Sequence, residues 1–383
     1  MPRERSAAGK DYTSSMRILY GIVGEGMGHA MRSRVVIDHL ARSHEVQVVV
    51  SGRAYDYLKA RESDRLGVNR IWGLTIVYED NEVRKFHTAF QNLKGAVTGG
   101  WPKNVLAYFD LARDFRPDVV VSDFESWSYL YGRAHRVPVI SLDNIQILAR
   151  CTHPPEVLRG HEVDFQLAKA IVKAKLPGCF HYLVTTFFRP PLRKPRTSLH
   201  PPVLRPEVLA ARPEAGEHLL VYQTSESNES LPEVLAASGR ECRIYGFRRG
   251  LTREAVEGPL RFRPFSEAGF VEDLRTARAV VANGGFTLLS EAVYLHKPVL
   301  ASPVKKQFEQ VMNSRYVEAE GHGLAAEDLD GARLSEFLGR LPEFEARLAA
   351  YGQDGNREML AALDDLLALA ARGDREPLEE TVT

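Results

Sequence analysis

Cysteine is scarce in this chain: Cys151, Cys179 and Cys242 are the three among 383 residues. The number is odd and no pair stands at metal-binding spacing. Neither a disulfide framework nor a zinc site is expected, and a reduced, cytoplasmic setting is the simplest reading. Long apolar runs are missing as well. None approaches the roughly 18 residues that a membrane-spanning helix needs, so no transmembrane segment is expected and only peripheral contact with a bilayer stays open. Excess charge of either sign is absent too, because 50 basic and 50 acidic side chains cancel. Bulk attraction to nucleic acid is therefore not expected. Residues 1–15 are polar and lack the apolar core of a signal peptide. They read as a disordered extension, and the acidic end, 373–383, as a frayed tail. Repeats and low-complexity tracts are lacking.

What the chain does have is alternation. Arg17–Val23 reads as a strand, the glycine turn Gly24–His29 follows, and a helix of about Ala30 to Ser43 leads to a second strand at Val46–Val50. Apolar strands recur at Asp118–Ser122 and Val137–Ser141. Near-continuous apolar strands separated by helical stretches mark a parallel sheet covered on both faces. Arg189–Pro213 holds seven prolines, which exclude a regular helix or a central strand there. A second alternating set follows: His218–Tyr222, Glu241–Tyr245, Leu260–Phe262, Ala279–Ala282 and Pro298–Ser302. Met359, Leu360, Leu363, Leu366, Leu367 and Ala370 then stand at helical spacing. The expected fold is α/β: two Rossmann-like, doubly wound parallel-sheet domains, 16–188 and 217–352, facing a cleft. A proline-rich linker, 189–216, joins them, and a terminal helix, 353–372, follows.

The most informative segment is Asn283-Gly284-Gly285-Phe286-Thr287-Leu288-Leu289-Ser290-Glu291. A glycine turn between a buried strand and a helix exposes backbone N–H groups at the positive end of the helix dipole, which suits a diphosphate. Glu291 lies one turn further on, where a carboxylate accepts from a ribose diol. Taken alone, two glycines in such a turn are ordinary parallel-sheet chemistry. Here they precede Lys297-Pro298, Pro303, and Gln307, Gln310 and Asn313.

That ordered set resembles the donor-binding signature of GT-B nucleotide-sugar glycosyltransferases, which include UDP-glycosyltransferases and the lipid II N-acetylglucosaminyltransferase type. Asn283 stands where many members carry His, and the cluster reads Gln-Phe-Glu-Gln where others have Asp-Gln. The resemblance implies a donor site of Asn283, Gly284, Gly285, Phe286, Thr287, Glu291, Gln307 and Gln310. It adds Thr224 and Ser225 after the strand His218–Tyr222, and Phe265 beside the nucleobase. It also implies that the terminal helix crosses back to the first domain. Arg248-Arg249 reads as solvated surface more readily than as a phosphate holder.

The first-half turn invites a rival reading as a dinucleotide fingerprint. Its spacing, Gly24-x-Gly26-x-Gly28, is one residue short of G-x-G-x-x-G, and the second strand ends in Val50-Ser51-Gly52 with no acidic residue for a ribose. The turn instead resembles the GT-B loop that ends in the general base. By that resemblance His29 takes the acceptor proton, and Gly28 lets substrate approach the backbone. Asp123, in Asp123-Phe124-Glu125-Ser126-Trp127, resembles the family segment whose Asp partners the catalytic His, and so either orients His29 or simply caps the following helix. Glu125, Asp143, Asn144 and Gln146 border the same edge and could meet acceptor hydroxyls.

The activity so implied is inverting transfer of a sugar from a nucleotide sugar, UDP-linked in the family's manner, to an acceptor hydroxyl. No cofactor beyond that co-substrate and no metal is expected; the acceptor is a small molecule, a lipid-linked group or a glycan. A nucleotide-sugar 2-epimerase of the same fold and a non-catalytic nucleotide-sugar-binding protein are the alternatives.

Overall fold

The structure is a computed structural model that describes residues 15–24, 27–71, 78–79, 82–83, 107–223, 230–248, 250–305 and 307–373. Its first sheet gathers the β-branched runs of the N-terminal half, whose residues are too apolar on both faces for anything but a covered sheet. The strands are β1 (Arg17–Ile22), β2 (Glu45–Val50), β3 (Leu66–Arg70), β4 (Val119–Asp123), β5 (Val139–Asp143), β6 (His181–Thr185) and β7 (Thr197–His200). They lie in the order β3-β2-β1-β4-β5-β6-β7, all parallel. The helices that position the site or its neighbours are α1 (Met27–Leu40), α2 (Ser126–His135) and α3 (Glu162–Lys175).

The second sheet contains β8 (Leu219–Tyr222), β9 (Cys242–Tyr245), β10 (Ala255–Glu257), β11 (Leu260–Phe262), β12 (Ala279–Ala282), β13 (Val299–Ala301) and β14 (Gly323–Ala325). Their order is β10-β11-β9-β8-β12-β13-β14, and only the β10–β11 pair is antiparallel. Helices α4 (Glu267–Arg275), α5 (Phe286–Tyr294) and α6 (Phe308–Ala319) connect its later strands. The parallel strands of each sheet reverse their order once, at β1/β4 and at β8/β12. In open α/β sheets the carboxyl ends at such a reversal form the ligand crevice.

The last described helix, α7 (Arg357–Arg372), packs on the first sheet. Met359, Leu363, Leu366, Leu367 and Ala370 bury themselves among Ile18, Val46, Val119, Val121 and Ile140. Truncating Leu363 or Leu367 to Ala would cost about 2–5 kcal/mol, since both are fully buried and the lost methyls would leave a cavity.

The proline-rich segment is more regular than expected. Thr197–His200 forms the edge strand β7, hydrogen-bonded to β6, and Pro206–Ala210 forms a helical turn with Pro206 at its start. An edge strand needs a ladder on one side only, and the prolines flank β7 without interrupting it. Proline at a helix start gives up an N–H that would have no partner there anyway. Aromatic contacts join the halves: Phe188 stacks on Tyr316 at 3.7 Å between ring centroids, and Phe187 on Phe286 at 5.9 Å.

Candidate active site

His29 sits in the first turn of α1, directly after the β1 turn. His29, Arg32 and Ser33 follow at i, i+3 and i+4, the spacing that puts side chains on one helix face. All three reach Asp123, at the carboxyl end of β4. His29 Nδ1 lies 2.9 Å from Asp123 Oδ1. Arg32 Nε donates to Asp123 Oδ2 at 3.1 Å, its Nη2 donates to Oδ1, and Ser33 Oγ donates to Oδ2 at 2.8 Å. Asp123 is fully buried and Arg32 nearly so. Burial alone would raise the Asp123 pKa, but the charges of Arg32 and His29 and their hydrogen bonds outweigh it and hold the carboxyl well below its usual range.

An ionised carboxylate only accepts, so its bond to His29 requires the proton on Nδ1 and leaves Nε2 with a lone pair. No protein hydrogen bond to Nε2 occurs among the described residues, and the ring keeps 19% side-chain exposure. Arg32 Nη2 also lies 2.7 Å from Nδ1. A guanidinium only donates, so in that contact it competes with Asp123 for the tautomer. The bidentate Arg32–Asp123 pair gives Arg32 its better partner.

The helix after Asp123 is capped by another residue. Glu125 accepts from the backbone N–H groups of Trp127 and Ser128, both at 2.6 Å. Phe124 between them has φ 53, a left-handed conformation that costs a side chain of this size. It turns the backbone so that Asp123 faces α1 while Glu125 faces α2. The capping role considered for Asp123 is thus taken by Glu125, which is itself unavailable to an acceptor.

Gly284 and Gly285 stand between β12 and α5, with Gly285 at the N-cap position and no side chain capping it. A Cβ on Gly284 would collide with the Gln310 carbonyl, and Asn313 Nδ2 donates to the Gly284 carbonyl at 3.0 Å. Gly284 is a packing glycine. Gly285 differs: its φ of −69 suits any residue, and among the described residues a Cβ there would meet nothing within 4 Å. The space above it opens onto the start of α5, where helix N–H groups have no intrahelical partner. Across the cleft, a Cβ on Gly28 would stand 2.7 Å from Thr287 Oγ1. The first turns of α1 and α5 therefore meet head to head, and both helix dipoles present positive ends.

Other expected contacts are otherwise engaged. Phe286 is buried against Phe187. Gln310 accepts from the Val304 N–H at 3.0 Å and donates to Gln307 Oε1 at 2.5 Å, so the two amides hold each other. Glu291 does not face an open cleft: it is 2% exposed and receives Arg205 Nε at 2.7 Å and Nη2 at 2.8 Å. Burial pushes its pKa up, and Arg205 opposes the shift. A ribose contact would need Arg205 to withdraw. Asp143 is buried and accepts from Ser141 Oγ and Gln146 N. Asn144 bridges the halves, accepting from Arg32 Nη1 and donating to Glu309 Oε1 at 2.6 Å. Neither the Asp143 nor the Asn144 side chain is left for an acceptor hydroxyl, whereas the buried Gln146 Nε2 has no hydrogen-bond partner among the described residues. Arg248 pairs with Glu257 at 2.7 Å. Phe265 is 69% exposed, so it is not core. Thr224, Ser225 and Arg249 lie outside the described residues.

Arg32 and Arg205 were missed in the sequence. The i+3 spacing from His29 could have signalled Arg32; nothing local signals Arg205, which comes from the proline-rich segment. Among the described residues no cluster of His, Cys, Asp or Glu could hold a metal ion, and no helix is long and apolar enough to cross a membrane.

The sequence model of the family described as "Glycosyl transferase family 1" matches residues 16–342. A Methanosarcina acetivorans protein named "Uncharacterized glycosyltransferase" is 25% identical over 341 residues, which is 80% of this chain and 85% of that protein. Among solved structures, the glycotransferase of kitacinnamycin matches 95% of this chain and 99% of its own at TM-score 0.63 and 18% identity. A UDP-glucosyltransferase from Polygonum tinctorium, capable of glucosylating indoxyl, matches 93% of this chain and 99% of its own at TM-score 0.60 and 13% identity. At these identities the solved structures show the fold, which is the two-domain GT-B arrangement.

Proposed function

The chain belongs to glycosyl transferase family 1, and from that premise we propose that it moves a sugar from a UDP-sugar to an acceptor hydroxyl with inversion, His29 acting as general base. One observation carries the reading: Gly28, next to the His29 that pairs with Asp123, packs against Thr287, two residues past the Gly285 turn, so the two helix starts adjoin. Base and diphosphate cradle come from different sheets, and a reacting sugar would lie where they converge.

In this scheme the acceptor oxygen attacks the anomeric carbon while its proton passes to His29 Nε2. The bond between that carbon and the diphosphate oxygen breaks, and UDP leaves with the electron pair. Asp123 holds the Nδ1 proton and steadies the imidazolium. The N–H groups at the start of α5 take up the charge on the departing diphosphate, so the scheme invokes no metal. Phe265, exposed before α4, supplies a ring for the base to stack on. Uracil is favoured because one relative of the same fold is named for UDP-glucose chemistry.

A thermal-shift screen with UDP, GDP, dTDP and their sugars tests the reading, because a ligand that binds the native state alone raises its stability. A rise with UDP and UDP-sugars is expected. No response to any nucleotide would overturn the proposal. New sugar nucleotide formed from UDP-N-acetylglucosamine alone would establish the epimerase alternative in its place.

A further inference from the structure

Helix α3 is apolar on two opposite sides. Its inward residues, Phe165 and Val172, are buried, and Phe165 packs on Phe308 of α6 at 5.5 Å between ring centroids. Its outward residues, Val163, Leu167 and Ile171, follow at i, i+4 and i+8 and so lie on one face. They are 82%, 43% and 56% exposed, with Ala170 and Ala174, also exposed, beside them. A surface helix of a globular fold carries one apolar stripe, turned inward. This helix carries two, and among the described residues only the inner one is covered.

Basic groups flank the outer stripe. Lys169 and Lys173 lie along one border on the helix itself. Arg193 and Lys194 stand near Lys169: burial lowers its ammonium pKa most, and their charges with that of Lys173 lower it further. These two cations are exposed, as are Arg196 and the apolar Leu192 on the same segment. Among the described residues Lys169, Lys173, Arg193 and Lys194 make no ion pair with a carboxylate. The acidic groups of α3 are confined to its first turn. There Glu162 accepts from the Gly160 N–H at 3.2 Å, and Asp164 lies 3.8 Å from His161. From Lys169 onward the surface is apolar and basic.

We propose that the outer face of α3, with the Leu192–Arg196 segment beside it, seats this protein on an anionic lipid bilayer. Val163, Leu167 and Ile171 enter the acyl boundary while the cations meet lipid phosphates. A helix of 14 residues is too short to span a bilayer but suits one lying in its plane, where apolar burial and attraction to anionic headgroups add. The charge decides against a second copy of the chain, since two such faces would bring like cations together. The seat adjoins the packing of α3 on α6, so it holds the joint between the two halves at the lipid surface. It does not depend on which donor or acceptor the cleft takes.

Co-sedimentation of the full chain with phosphatidylcholine vesicles containing about 30% phosphatidylglycerol tests this, with pure phosphatidylcholine and high salt as comparisons. The wild type is expected to pellet with the anionic vesicles at low salt and far less in either comparison. Leu167→Glu/Ile171→Glu and, separately, Lys169→Glu/Lys173→Glu should each weaken binding at least about 10-fold. All four positions lie at the surface or its edge, so thermal midpoints should stay within a few degrees. Failure of the wild type to pellet would overturn the proposal, as would wild-type binding by either variant. Sedimentation velocity finding a wild-type dimer that Leu167→Glu/Ile171→Glu converts to monomer would also overturn it, in favour of self-association.

Discussion

Arg205 holds both carboxylate oxygens of Glu291, Nε at 2.7 Å and Nη2 at 2.8 Å, inside a joint where their side chains are only 4% and 2% exposed. Glu267 also accepts from Arg205, at 3.1 Å. The pair pins the proline-rich segment to the helix that follows the glycine turn. Glu291→Ala would leave Arg205 buried with the weaker partner alone, at a cost of about 3 kcal/mol in stability. Removing both charges with Arg205→Met/Glu291→Ala should recover most of that loss in urea unfolding. An unchanged midpoint for Glu291→Ala would show that the pair contributes nothing. Comparing UDP with pyrophosphate as ligands of the variant then tests the ribose contact. A defect specific to UDP would mean that Arg205 releases Glu291 on binding.

His29→Ala should lower turnover by about 10²-fold or more and leave donor affinity nearly unchanged. The fold should survive, because Asp123 keeps Arg32 and Ser33 as partners. Steady-state kinetics beside calorimetry with UDP reads both effects. Wild-type turnover in the variant would end the role assigned to His29.

Asp123→Asn is expected to damage activity and stability together, because it strips the buried Arg32 guanidinium of its counter-charge. The stability cost is about 3–5 kcal/mol. Asp123→Asn/Arg32→Met removes both charges and should regain stability without regaining turnover. If the double variant recovers both, Asp123 supports the fold and not the reaction.

The two glycines should respond in opposite ways. Gly285→Val has space and an ordinary backbone conformation, so it should fold normally and bind UDP at least about 10-fold more weakly by filling the cradle. Gly284→Ala drives a methyl into the Gln310 carbonyl and should lose about 1–3 kcal/mol of stability. Normal UDP affinity in a folded Gly285→Val protein would remove the diphosphate from this turn.

Asp143 gives the protein a pH dependence. Burial, with the charge of Asp123 second, raises its carboxyl to about 6. The unfolded value is about 3.9, so the fold prefers the neutral form. The stability this contributes is complete below about pH 4 and is lost as pH rises through about 6. Asp143→Asn stays neutral throughout. Relative to the wild type it should gain about 2–3 kcal/mol between pH 4 and 7. A constant difference between the two proteins across that range would contradict the raised value.

Features that depend on local pattern were legible in the amino-acid sequence. Runs such as Val119–Val121 and Ala279–Ala282 had to be covered strands, and Met359 to Ala370 had to be an amphipathic helix. Glycine turns after β1 and β12 marked the strand ends at which each sheet reverses its order. Partnership was another matter. Asp123 meets His29 from 94 residues away, Arg205 meets Glu291 from 86, and Asn144 meets Glu309 from 165. Which carboxylate meets a histidine, caps a helix or neutralises a guanidinium follows from which strands lie side by side and how tightly the halves close. Asp123 and Glu125 are two residues apart and read alike as polar groups after a strand. The left-handed turn at Phe124 sends one to α1 and the other to α2, and the outward stripe on α3 likewise became visible only once its other face had found the core. A charge pair or a buried face is a property of neighbours in space, and local sequence carries no record of neighbours that the chain brings from a hundred residues away.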